Sequence, residues 1–376
     1  MSKDLLDKYS PTRIVAGPGS LAQLGKLSKE LGAARVLVVS DRGVASAGHT
    51  RRGLDSLESA GLEVDLYDGV EENPTTIHVG EGLERANAFR PDLLVGLGGG
   101  SAMDCAKGIN FVYSCGGSMA DYHGVGKATS ELLPMIGVPT TSGTGSETQS
   151  FALISDAATH EKMACGDKRA AFKAAILDPL TTVTQPVQVT AATGIDAISH
   201  AVESYVTRQR NDVSKKLSVE AWSLLSGNFQ KVIESPEDVD ARAAMQLGAC
   251  LAGLAIEHSM LGAAHSAANP LTARYGVIHG VAVGLLLPGV VRFNSVACED
   301  DYRELCGASS EGSESLASRL EEFRSLSGLP GRLSDCKVNK EDIPLMSLEA
   351  TGQWTAQFNP REVTPVGFSE IYRAAY

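Results

Sequence analysis

Residues 93–110, LLVGLGGGSAMDCAKGIN, decide the fold. An unbroken apolar run ends in Gly98-Gly99-Gly100-Ser101 and passes into a helical pattern whose first turn carries Asp104. Glycines let the backbone approach a diphosphate, while free N–H groups and the helix dipole face its negative charge. Taken alone, such a turn also serves simply to join a strand to a helix.

The neighbouring segments repeat the pattern. Short apolar runs, ARVLVVSD (34–41), LEVDLYDGV (62–70), PDLLVGLGGG (91–100) and MIGVPTT (135–141), alternate with helical stretches such as 77–89. This alternation, from about residue 35 to 180, predicts an α/β domain with a parallel sheet covered by helices. A second polar loop, PTTSGTGSE (139–147), follows the fourth strand, so two strand ends carry glycine and hydroxyl groups where such sheets place ligands. Asp41 ends the earliest of the four runs. It is suited to accept hydrogen bonds from ribose hydroxyls and to repel a 2′-phosphate, which favours NAD over NADP; it is equally suited to cap the next helix. Lys107 and Lys162 are candidates for cofactor phosphate or ribose, although a lysine ordinarily stays solvated.

After Pro186 the β-branched runs give way to long helical patterns, with polar breaks near 235–236, 309–313 and 328–331. The expected division is a dinucleotide-binding α/β domain over 1–185 and an all-α domain over 186–376, with the boundary near 183–188. The Ser and Glu cluster at 309–315 reads as a solvated loop or helix start. No fixed-period repeat or low-complexity segment stands out.

The net charge of -12 opposes binding to nucleic acid, which needs clustered cations. The first residues, MSKDLLDKYS, lack the basic start and apolar stretch of a secretion signal. The apolar tracts 243–270 and 281–291 read as buried helices, so no membrane partner is expected. Seven scattered cysteines without a CxxC pair suit reduced thiols and a cytoplasmic location.

The helical half opens with TAATGIDAISHAVESYV (190–206), where Asp196 and His200 share one helix face. His265 and His279 follow in an apolar, small-residue setting. Three imidazoles and one carboxylate suit a divalent transition ion. Each histidine singly also fits a satisfied core position, whereas an unpaired buried aspartate is costly.

The chain resembles the iron-dependent (group III) alcohol dehydrogenases, with their dehydroquinate synthase-like fold, across essentially its whole length. The resemblance rests on GGGSAMDCAK, PTTSGTGSE, Asp178-Pro179, GIDAISHAVE and the two histidines of AAHSAANPLTARYGVIHG followed by LLLP. It implies that Asp196, His200, His265 and His279 bind Fe2+, with Zn2+ the alternative, and act in catalysis through the metal. It further implies that Gly98, Gly99, Gly100, Ser101 and Asp104 hold the NAD diphosphate region. Thr140, Thr141 and Thr144 would line the cofactor cleft, Asp41 would read the ribose and Lys162 would approach the cofactor. The implied activity is hydride exchange between NAD(H) and a small primary alcohol or aldehyde whose oxygen sits on the ion, in a homodimer or larger assembly.

One position departs from the family. Many members carry a histidine four residues after the third ligand, where this chain has Asn269. An amide does not exchange a proton at neutral pH, so the relay passes to water, a ribose hydroxyl, His258 or His123. Ser150, Phe151, Leu261 and Phe358 are candidates for a mainly apolar substrate pocket, and Arg361 for a surface ion pair or an anion contact. The alternatives are an NAD- and metal-dependent lyase or cyclase like dehydroquinate synthase, and a non-catalytic NAD-binding protein.

Overall fold

The computed structural model describes residues 2–159, 161–307 and 312–376. The chain divides into two compact units: Lys3–Thr141 with Gly145–Gln185, and Ser142–Thr144 with Pro186–Tyr376.

The first unit is built on a six-stranded sheet. Its strands are β1 (Arg13–Ala16), β2 (Arg35–Val39), β3 (Glu63–Tyr67), β4 (Leu93–Gly98), β6 (Met135–Pro139) and β9 (Ala174–Leu177). The order is β1-β9-β6-β4-β2-β3, and every pair is parallel. The four expected strands form, the first three trimmed at both ends and the fourth only at its C-terminal end. Side chains alternate between two separate cores: Leu37, Val39 and Leu94 enter one, and Val36, Val38, Leu93 and Val95 the other. A sheet covered on both faces needs apolar residues at both parities, which is why these runs read as continuous rather than alternating.

Five strands were not anticipated. β1 and β9 are four residues long, and β9 (AAIL) begins with two alanines that carry little β signal. The other three form a small sheet, β5 (Gly124–Val125), β8 (Lys162–Gly166) and β7 (Phe151–Ser155). β5 is only two residues, and β7 with β8 is an antiparallel pair set beside a parallel sheet.

From β2 the chain steps outward to β3 and then returns to place β4 on the other side of β2. The direction of winding therefore reverses between the C-terminal ends of β2 and β4, the position where open α/β sheets bind ligands. Asp41 and the glycine turn stand at those two ends.

The second unit is helical. Val187–Val206, Asp212–Glu234 and Val239–Ser259 pack on one another, and His279–Leu305 packs on the first of them and on Ser313–Leu326. The apolar tract 243–270 is two helices, not one, because the first ends at Met260 with φ 75° and a second begins at Ala263. The tract 281–291 lies within the helical stretch His279–Leu305, which continues through Pro288 and kinks at Cys298, where φ -136° and ψ 20° are not helical. Both long helices have the length and hydropathy of a membrane span, yet 72% and 67% of their most apolar windows are buried within the protein. The expected polar break at 309–313 lies largely outside the described residues; Ser313 itself begins a helix.

Candidate metal centre and cofactor loops

Asp196, His200 and Glu203 occupy positions i, i+4 and i+7 of Val187–Val206, so all three project from one face. His265 lies in the first turn of Ala263–Tyr275, and His279 is the first residue of His279–Leu305. The Nε2 atoms of His200, His265 and His279 stand 3.4, 3.5 and 3.9 Å from a single atom, Asp196 Oδ1. The ligand atoms of Asp196, His265 and His279 all lie within 4.8 Å of one another. Ligands held about 2.1 Å from a shared ion stand about 3.4 Å apart, so the spacing of Asp196, His265 and His279 suits a common cation, whereas His200 approaches Asp196 Oδ1 but falls outside this mutually close group.

Satisfaction of the polar atoms supports the same fit. Asp196 Oδ1 and His265 Nε2 are buried and make no hydrogen bond among the described residues. Orphaned buried groups of this kind cost free energy unless something fills the space between them. Electrostatics agree. Burial would raise the Asp196 carboxyl, but His200, His279 and His265 together hold it below the usual carboxylate range. Burial pushes His200 down to about 4, keeping its imidazole neutral, as a ligand must be. Burial would lower His265 as well, but Asp196 and Glu203 outweigh it and raise this imidazole to about 9. The pair of carboxylates thus calls for a positive charge at the ring, which a divalent ion supplies in place of a proton.

Glu203 was missed in the sequence. It lies inside the GIDAISHAVE motif on the Asp196 face, and the signal was its i+7 spacing from Asp196. Its Oε2 is 2.6 Å from His265 Nδ1, opposite the atom that faces Asp196.

In the first unit, Gly98 closes β4 where side chains crowd. A Cβ here would lie 2.7 Å from Ala102 Cβ and 3.1 Å from Asp41 Oδ2. Asp41 caps the short helix Arg42–Ser46 through Val44 N–H at 2.9 Å, so its capping role and its place beside the glycine turn coexist. Gly100 and Ser101 open the helix Gly100–Cys115, with Gly99 as its N-cap. Thr140 N–H donates to Gly98 O at 2.9 Å, and Thr141 borders Gly99, whose Cβ would meet Thr141 Cγ2 at 3.3 Å. The two loops are therefore adjacent. Thr144 groups with the helical unit, and Lys162 is the first residue of β8, paired with Ser155.

Asp104 and Lys107 are turned inward. Asp104 accepts from Ser146 Oγ at 2.6 Å and Leu153 N–H at 3.3 Å, and burial raises its carboxyl despite nearby Lys107. Lys107 is fully buried rather than solvated, and its Nζ donates to Ser146 O, Ser146 Oγ and Phe151 O at 2.8–2.9 Å. Both side chains fasten the second loop to the helix of the first. Asp178, of the Asp-Pro pair, is likewise wholly buried and accepts from Gly19, Leu21 and Leu180 N–H at 2.9–3.1 Å, bracing the turn after β1.

Glu147, at the end of the same loop, is buried at 2% exposure, and burial raises its carboxyl to about 7. A folded value above the unfolded one means stability that is complete below about pH 4.5 and lost as pH rises through 7, on the order of 3 kcal/mol. Glu147→Gln is expected to lack this loss. Urea midpoints should fall between pH 5 and pH 8 in the parent protein relative to the variant; parallel profiles would overturn the assignment.

Asn269 donates from Nδ2 to Gln353 Oε1 at 2.9 Å, so the position is a fixed, non-titrating amide pair. His123 is exposed in the first unit, and His258 lies near the C-terminal end of Val239–Ser259, where its carbonyl accepts from Asn211. Of the pocket candidates, Ser150 is buried, Phe151 packs over Gly166, Leu261 is half-buried and Phe358 stacks edge-on with Trp354. Arg361 forms no ion pair among the described residues: it lies over the Phe293 ring at 3.8 Å and donates to the Phe293 carbonyl.

Comparison with known proteins agrees with this chemistry. Residues 11–179 match the sequence model "Iron-containing alcohol dehydrogenase", and residues 190–376 match "Fe-containing alcohol dehydrogenase family, C-terminal". The chain belongs to the iron-containing alcohol dehydrogenase family. It is 32% identical to the NAD-dependent methanol dehydrogenase of Bacillus methanolicus, over 98% of this chain and 99% of that protein. It is also 32% identical to the 1,3-propanediol dehydrogenase of Citrobacter freundii, over the full length of both. A crystal structure of 1,3-propanediol oxidoreductase superposes with a TM-score of 0.95 at 31% identity, covering 98% of each chain.

Proposed function

We propose that this protein is a cytoplasmic, NAD-linked, metal-dependent alcohol dehydrogenase that interconverts a small primary alcohol and its aldehyde, working as a dimer or larger assembly. The observation that carries the reading is the convergence of three imidazole Nε2 atoms on Asp196 Oδ1. Asp196, His200, His265 and His279 would hold the ion, within a metal-binding domain over 186–376. Bound Fe2+, or Zn2+, supplies Lewis acidity toward a substrate oxygen. NAD supplies the hydride acceptor.

The chain's own residues do the positioning. In a cofactor domain over 1–185, Gly98–Ser101 would receive the diphosphate at a helix N-terminus. Asp41 would accept from the ribose, and Thr140, Thr141, Thr144 and Lys162 would line the remaining cofactor path. Asp104 would act one step removed, through its bond to Ser146. Relatives named for methanol and 1,3-propanediol support a short-chain substrate. The seven cysteines form no disulfide among the described residues, and four of them are buried, which supports a reducing compartment.

The test is NADH consumption by anaerobically purified protein with short aldehydes, from formaldehyde to 3-hydroxypropanal, comparing metal-stripped samples with samples restored by Fe(II) or Zn(II). Turnover only in restored samples is expected. NADH that binds and is never consumed would overturn the dehydrogenase reading in favour of a lyase or a binding protein.

A further inference from the structure

The first turn of Ala263–Tyr275 has no capping side chain of its own, since its N-cap is Gly262. Initial helix N–H groups have no partner within their own helix, and here residues distant in sequence supply the acceptors. Glu203 Oε1 accepts from Ala264 N–H at 2.7 Å, and Asn359 Oδ1 accepts from Ala263 N–H at 3.2 Å. Asn359 is itself held by reciprocal bonds with Asn294 and by donation to the Arg361 carbonyl. A Cβ at Gly262 would lie 3.0 Å from Glu203 Oε1 and 2.9 Å from Asn359 Oδ1, so the turn is packed tightly on both acceptors.

Glu203 has a second duty. Its other oxygen, Oε2, meets His265 Nδ1 at 2.6 Å. We propose that Glu203 is a positioning residue for the metal centre: it fixes the His265 tautomer and, through Ala264, the height of the ring. This inference rests on the metal reading given above. A carboxylate accepting Nδ1–H leaves the Nε2 lone pair directed at Asp196, and outer carboxylates of this kind orient metal-ligating histidines. The chemistry demands a carboxylate. Two N–H donors, one from Ala264 and one from His265, need two acceptor oxygens, and a glutamine offers one oxygen and one NH2. With glutamine, either Ala264 N–H faces another donor, or His265 takes the tautomer that directs a proton toward Asp196.

The test is Co(II) titration of metal-free protein, followed by visible absorption, with thermal melting of the metal-free forms beside it. Glu203→Gln is expected to bind Co(II) about 10–100-fold more weakly than the parent while melting at a similar temperature, and Glu203→Asp to recover part of the affinity. Equal Co(II) affinity in parent and Glu203→Gln would overturn the positioning role and leave the metal centre standing. A parent protein that takes up no Co(II) would overturn the metal centre and this inference with it. Should Glu203→Gln fail to fold, a long-range 1H–15N spectrum of the Zn(II)-loaded parent decides. The signal absent from His265→Ala should show a protonated Nδ1; a protonated Nε2 would overturn the proposal.

Discussion

Asp196→Ala is expected to remove bound metal and turnover together. The Nε2 atoms of His200, His265 and His279 all approach its Oδ1, so without it the centre keeps nitrogen ligands but loses the charge that offsets the ion. The loss of affinity should exceed the about 10–100-fold cost typical of an outer partner. Stability should fall as well. In the metal-free protein the imidazoles of His200, His265 and His279 outweigh burial and hold the Asp196 carboxyl below its unfolded value, so the carboxylate contributes stability at neutral pH that the variant lacks. Metal-free Asp196→Ala should therefore melt below metal-free parent, while the rise in melting temperature on adding Fe(II) or Zn(II) disappears. Metal analysis and melting curves with and without ion check both halves. Stoichiometric metal in the purified variant would overturn the ligand assignment.

Gly280→Ala is expected to damage the same centre from outside the ligand set. A Cβ at residue 280 would press on the Ala192 carbonyl, 2.6 Å from its carbon and 3.2 Å from its Cα. The obstruction is backbone, which no side-chain rotation relieves. His279–Leu305 must therefore shift from Val187–Val206, and the residue beside the new methyl is His279. Overpacking of this kind costs about 1–3 kcal/mol. In a chain of 376 residues that corresponds to a fall of roughly 1–4 °C in melting temperature. Metal affinity should fall as well, because one helix carries Asp196 and the other His279. Parent-like melting and metal content would show that the two helices do not need this close approach.

Both predictions turn on features of unequal visibility in the chain itself. The β2, β4 and β6 runs were legible because a sheet buried on two faces demands continuous apolar segments. The glycine and threonine loops were legible because they end those runs. Asp196 and His200 could be paired because helical spacing is local. β1 and β9 were not legible: four residues carry too little pattern, and their strand character comes from the partners they pair with.

For the remaining features, local pattern and tertiary placement divide along a physical line. Period, charge and turn chemistry are properties of neighbouring residues, and they sufficed for the two halves, the glycine loops and the family motifs. Whether His265 and His279 meet Asp196 depends on how three helices pack, with 69 residues separating Asp196 from His265 in the chain. Tertiary packing likewise turned Lys107 and Asp104 inward onto the second loop, set Arg361 on an aromatic ring, and gave Glu203 its place behind His265. Hydrogen-bond partners distant in sequence are chosen by burial, which leaves a polar group no water to bond with. That choice exists only once the chain has folded.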